Sequence, residues 1–273
     1  MQKLNLFAAT CALGLSLTAA AADFSTADAL YAKRDEGRSS ALKAREAYEQ
    51  IVAQGAKDTD LVRAVEGVAR TYLYEGGYLL SIDKADEKAE RKKVFHDCWT
   101  VAVENMSPAK LGFSSPAYWY LRASCIAQEA QVSSVLERLA NLPKLNDALD
   151  KGLAAPGGDT YEGGGLLRVK AAVKGNPEAK GLPGGLYNPE EALKLIDRAI
   201  AAGAYPGSVE GFLFCENFRR KVDILNTLGR GAESKALAAS TVSDFGTYLE
   251  QGLIPESIRA ETVGCIKEVK KAL

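Results

Sequence analysis

Apolar residues line one side of a helix in the stretch that begins Asn188-Pro189-Glu190-Glu191. Ala192, Leu195, Ile196, Ala199 and Ile200 follow at alternating three- and one-residue steps, the spacing of a single helical face. Asn188 predicts the cap, Pro189 the first helical position, Glu191 the third, and Gly203 the stop. An earlier segment has the same design. Ser40 is its expected cap, Ala44, Ala47, Tyr48, Ile51 and Val52 its stripe, and Gly55 its stop. Laid over each other, Ala44 matches Ala192, Tyr48 matches Ile196, Val52 matches Ile200 and Gly55 matches Gly203. Similar patterns predict further helices at about 25–35, 59–80, 84–106, 116–130, 132–151, 159–174, 209–228, 231–250 and 256–272. No β-branched alternation bounded by hairpin turns is visible. The expected fold class is all-α, an array of about 10–12 helices in divergent repeats.

Glycine breaks the pattern most strongly between Asp159 and Leu193. Gly163-Gly164-Gly165 comes first, then Gly175-Asn176-Pro177, then Gly181-Leu182-Pro183-Gly184-Gly185. Gly158 and Gly163 have the glycine spacing of a phosphate-binding loop, but Gly164 and Gly165 stand where lysine and serine or threonine are needed. A dinucleotide fingerprint fails at Arg168, which occupies the place of its last glycine. The cluster therefore reads as the start of one helix, a connector, and the start of its partner.

Composition changes little in this picture. The 273 residues are 47% apolar and 25% charged, with 34 basic against 35 acidic side chains. No basic excess points to nucleic acid or an anionic membrane. The N-terminus is a separate object: Lys3, an apolar run from Leu4 to Leu17, then Ala20-Ala21-Ala22 before Asp23. This pattern predicts a secretory signal peptide over residues 1–22, cleaved after Ala22, and a single domain over 23–273. The run is short of the roughly 20 residues of a spanning helix. Thr10 before Cys11 argues against a lipid-anchored cysteine, so the expected location is the periplasm, with no membrane span in the mature chain.

Export gives the remaining cysteines, Cys98, Cys125, Cys215 and Cys265, a reason to pair. Cys98 and Cys125 lie about equally far from the turn near Ser107–Ser115, so they sit level in a helical hairpin. Cys215 and Cys265 are left for each other, on helices separated by one helix and so parallel. The alternative is four buried free thiols. His96 is the one histidine, no Cys-x-x-Cys occurs, and no acid, base, nucleophile and metal set assembles. Neither an enzyme nor a cofactor or metal is expected. Tyr74, Tyr78, Tyr118, Trp119 and Tyr120 are candidate groove aromatics, since three consecutive rings cannot all face a core.

The Ala/aromatic stripes resemble the second helix of a tetratricopeptide repeat. Three segments narrow this. They are Tyr161-Glu162-Gly163-Gly164-Gly165-Leu166-Leu167-Arg168 with the connector to Asn188-Pro189-Glu190-Glu191-Ala192, "ADALYAKRDEGRSSALKAREAYEQIVAQG" from Ala27 to Gly55, and "AYWYLRASCIA" from Ala117 to Ala127. Together they resemble the accessory T-component family of TRAP transporters. The resemblance implies a periplasmic helical protein that associates with a solute-binding protein. It further implies a ring-like homotrimer and a cleft for an apolar small ligand. Tyr161, Gly163, Gly164, Gly165 and Arg168 are the motif positions, with a structural or binding role, and Arg168 is a candidate partner for a carboxylate across the helix hairpin. The alternative is a generic tetratricopeptide scaffold that binds a peptide or envelope protein on its concave face.

Overall fold

The computed structural model describes residues 22–181, 186–202 and 214–273. All regular structure among them is helical. The helices are α1 (Ser25–Ala32), α2 (Arg38–Ala53), α3 (Asp58–Tyr74), α4 (Ala85–Met106) and the single turn α5 (Pro108–Leu111). They continue as α6 (Pro116–Gln131), α7 (Val135–Ala154), α8 (Tyr161–Gly175), α9 (Pro189–Ala201), α10 (Cys215–Thr227), α11 (Gly231–Glu250) and α12 (Glu256–Val269). No helix of the described residues is long and apolar enough to cross a membrane. The expected signal peptide through Ala21, the Gly184-Gly185 end of the connector, the Gly203 stop and the predicted helical residues 209–213 lie outside the described residues.

Local chemistry sets most boundaries. Asn188 Oδ1 accepts from the Glu191 amide at 3.1 Å, and Ala192, Leu195, Ile196 and Ala199 are buried. Gly55 ends α2 with φ +86°, a left-handed conformation that suits glycine. The expected cap at Ser40 is overturned. Gly37, at φ +132°, turns the chain straight out of a short 3₁₀ turn, and its carbonyl accepts from the Ser40 and Ala41 amides at 3.1 and 3.2 Å. Helix α2 therefore starts ahead of Ser40. Helix α7 starts later than predicted because Ser134 and Glu137 form a capping box. Helix α3 ends early, giving way to a wider π-type turn over Glu75–Leu79. Gly76 admits the Phe95 ring of α4 there, where an added Cβ would stand 2.6 Å from it.

Packing separates two sets of helices. Helices α1, α3, α6, α8, α10 and α12 touch one another in that order, and α2, α4, α7, α9 and α11 fill the positions between them. The first set returns to its start, because α12 packs against α1. The core is accordingly a series of small clusters passed from pair to pair: Tyr48 and Val68, then Leu121 and Leu149, then Leu167 and Ile196, then Val222 and Phe245.

Arg34 closes the circuit. It is fully buried, it forms an ion pair with Glu261, and it donates to the carbonyls of Tyr31 at 2.7 Å and Ser257 at 2.8 Å. Its guanidinium also covers the Tyr31 ring at 3.9 Å.

Both expected cysteine pairs lie at disulfide distance. Cα atoms are 5.8 Å apart for Cys98 and Cys125 and 6.3 Å apart for Cys215 and Cys265. The first ties α4 to α6 and the second ties α10 to α12, closing 27 and 50 residues of chain. Each such loop contributes about 3–4 kcal/mol when closed. A chain of residues 23–273, denatured and unreduced, is expected to show no thiol reactive toward a colorimetric reagent, and four after reduction. Four before reduction would mean that the pairs are not bonded.

Candidate functional site

The triple glycine does more than open a helix. Glu162, Gly163 and Gly164 are all left-handed, with φ of 54°, 57° and 79°, before α8 settles into regular right-handed geometry. Left-handed residues ordinarily occur singly, and a non-glycine one costs about 1–3 kcal/mol. The surroundings hold this turn in place. Arg168 Nη1 donates to the carbonyls of Glu162 and Gly163 at 3.3 and 3.4 Å and to Asn217 Oδ1 at 2.8 Å. Asn217 Nδ2 donates to the carbonyls of Gly163 at 2.8 Å and Ala199 at 3.3 Å. Arg70 of α3 forms an ion pair with the Glu162 carboxylate.

The expectation that Arg168 meets a carboxylate is thus corrected. The left-handed turn frees backbone carbonyls, and these, with the Asn217 amide, take up the guanidinium instead. Arg168 also lies 4.5 Å from the Phe214 ring centre and donates to the Tyr120 hydroxyl at 3.4 Å.

The motif positions therefore converge. Gly164 packs on the backbone of Ala199, Gly165 lies under the Tyr120 ring, and the Tyr120 and Tyr161 rings are 5.5 Å apart. The Tyr161 hydroxyl donates to Glu66 of α3. Burial raises both the Glu66 carboxyl and the Tyr161 phenol, against the opposing pull of Arg70 on each.

The candidate groove aromatics divide. Tyr118 and Trp119 belong to the core, so their groove role is overturned. Helix α6 is packed by α4, α7 and α8, so two of three consecutive rings find apolar cover; Trp119 also donates its indole N–H to Ser114 Oγ at 2.7 Å. Tyr74 is likewise buried beside Arg34, and burial pushes its phenol up to about 12. Tyr120 and Tyr78 remain at the site. Tyr78 reaches across the circuit: its ring sits where a Cβ on Gly264 of α12 would stand, 2.6 Å away, and its hydroxyl donates to Glu216 of α10 at 3.1 Å. It keeps 38% of its surface exposed, yet burial drives its phenol well above the ordinary range.

Glu216 is a buried carboxylate on α10. Its Oε2 accepts from Arg219 Nε and Nη2 at 2.9 and 2.7 Å. Burial alone would raise its carboxyl, but the Arg219 and Arg220 guanidinium groups outweigh burial and hold it at about 2. A carboxyl depressed in the fold stabilises above its unfolded pKa and loses that contribution as pH falls to the folded value. Through Glu216 the protein is expected to lose roughly 3 kcal/mol between about pH 5 and pH 2. Glu216→Gln is expected to remove that part of the acid sensitivity in urea titrations at each pH.

A cavity of about 420 Å³ opens beside the α1–α12 closure, lined among others by Tyr31, Tyr48, Arg63, Glu66 and Arg70. A smaller apolar crevice of about 90 Å³ lies elsewhere, between Ile126, Leu142 and Val173. His96 is half exposed on α4, with Nδ1 3.4 Å from Glu129. Among the described residues no three His, Cys, Asp or Glu side chains cluster as metal ligands. The side chains gathered around the glycine turn and α10 are guanidinium, phenol, amide and carboxylate groups, largely paired with one another.

Sequence reasoning passed over Asn217, Glu216, Arg219, Glu66, Arg70 and Arg34. One signal was present: Glu216-Asn217 is a polar pair inside the aromatic run Phe212-Leu213-Phe214-Cys215-Glu216-Asn217-Phe218, where a core helix would carry apolar residues. No family model matches the chain, and no curated protein matches it significantly.

Proposed function

We propose that this chain is an exported, tetratricopeptide-like binding protein that docks a periplasmic solute-binding protein, in the manner of the accessory T-component of TRAP transporters. The observation that carries the reading is the convergence of Tyr161, Gly163–Gly165 and Arg168 on the interior of the helical circuit. That segment is the one on which the resemblance rests, and it meets side chains from α3, α6 and α10. The alternation of an inner and an outer helix set is the packing scheme of such repeats. Two cysteine pairs suit an oxidising compartment. A peptide on an open concave face is the weaker reading, because the α1–α12 contact joins the two ends that an open array keeps apart.

Affinity capture from a periplasmic extract, with the full mature chain as bait, tests the proposal. Recovery of a solute-binding protein in proportion to bait is the expected result. Its absence, with the binding protein present in the extract, defeats the reading.

A further inference from the structure

Two peptide bonds fit the signal-peptidase rule of small residues at the first and third positions before the cut. Ala19-Ala20-Ala21 places the cut after Ala21, and Ala20-Ala21-Ala22 places it after Ala22. The fold treats the two bonds differently. Ala22 is half-buried and packs against the cluster that holds Phe24, Tyr48 and Val68. Its backbone N–H donates to Asp60 Oδ2, in the first turn of α3, at 3.2 Å. Asp60 is itself half-buried, and among the described residues it forms no ion pair. The chain is thus tied to the domain from Ala22 onward, by an acceptor 38 residues away.

Each cut places a new charge. Hydrolysis of the Ala21–Ala22 bond consumes one water, leaves a carboxylate on Ala21 of the departing peptide, and leaves an α-ammonium on Ala22. That ammonium stands where the amide already meets Asp60, so a neutral donor becomes a charged one facing a carboxylate. Hydrolysis of the Ala22–Asp23 bond puts the ammonium on Asp23 instead. Asp23 Oδ1 accepts from the amide of Ser25, the first residue of α1, at 2.9 Å, and hydrogen bonding to Ser25 holds its carboxyl below the usual range. A cation at Asp23 opposes the positive end of α1. The same cut also discards the packed Ala22 and leaves Asp60 without its donor.

We propose that the processing site is the Ala21–Ala22 bond, and that the α-ammonium of Ala22 then pins the start of the mature chain to Asp60. This rests on the proposed export and adds to it the bond that is cut and the side chain that receives the new terminus.

Expression of the full chain in a bacterium, with N-terminal sequencing and intact mass of the periplasmic and cytoplasmic fractions, tests the cut. An exported chain beginning Ala-Asp-Phe is the expected result. An exported chain beginning Asp-Phe-Ser, or at any other residue, overturns the proposal and leaves export standing. A cytoplasmic chain that keeps its first 21 residues overturns both. The anchor has its own test. Purified chains 22–273 and 23–273 are compared by thermal denaturation at about pH 6, below the α-ammonium range. The longer chain is expected to melt roughly 1–3 °C higher, and Asp60→Asn made in both chains is expected to remove at least half of that gap. Equal melting of the two chains, or a gap that Asp60→Asn leaves unchanged, overturns the pairing with Asp60.

Discussion

Gly164→Ala is expected to destabilise the fold by about 3–5 kcal/mol, from two costs that add. The new Cβ would stand 2.7 Å from the Ala199 Cα and 2.9 Å from its carbonyl oxygen. These are backbone atoms of α9 and have no rotamer by which to yield. Gly164 is also left-handed, at φ +79°, where alanine is strained without any clash. Gly229→Ala separates the terms. Gly229 has φ +72° but nothing within 4 Å of an added Cβ, so only the conformational cost of about 1 kcal/mol remains. Chemical denaturation of both variants checks the difference. Equal losses would mean that the turn does not press on α9.

Arg34→Ala is the second large effect, expected at about 3–5 kcal/mol, the cost of breaking a buried ion pair by removing one partner. Glu261 loses its cation, and the carbonyls of Tyr31 and Ser257 lose their donors. The damage is expected to be local in kind. Hydrogen exchange is expected to accelerate in α1 and the start of α12, while the Leu121 and Leu149 cluster stays protected. Arg34→Met, which keeps the apolar bulk, is expected to recover part of the stability without the protection of α1. Unchanged exchange in α1 would show that its contact with α12 rests on other residues.

Helical periodicity made most of the array legible. Ala192 to Ala199 reads as a buried stripe because each helix hides one face, and Asn188 and Gly55 mark ends because caps and left-handed stops need those residue types. The Cys98–Cys125 pair was legible for a related reason, since a hairpin puts residues equally far from its turn side by side, and Cys215–Cys265 followed by elimination. The circuit itself was not. Arg34 and Glu261 are 227 residues apart, and no local pattern joins them. Nor does spacing reveal backbone handedness. The three glycines read as the start of a helix, but Glu162, Gly163 and Gly164 form a left-handed turn first, held there by Arg168 and Arg70. Tyr118 and Trp119 misled because an inner helix is covered on more than one side, so consecutive rings are both buried.

The helical array closes on itself through the contact of α1 with α12. Spin labels at Lys33 and Arg259, exposed positions flanking the Arg34–Glu261 pair, test it by double electron–electron resonance. The structure predicts one short, narrow distance that broadens and lengthens in Arg34→Ala. A long or broad distribution in the otherwise unaltered protein would describe an open array and contradict the account.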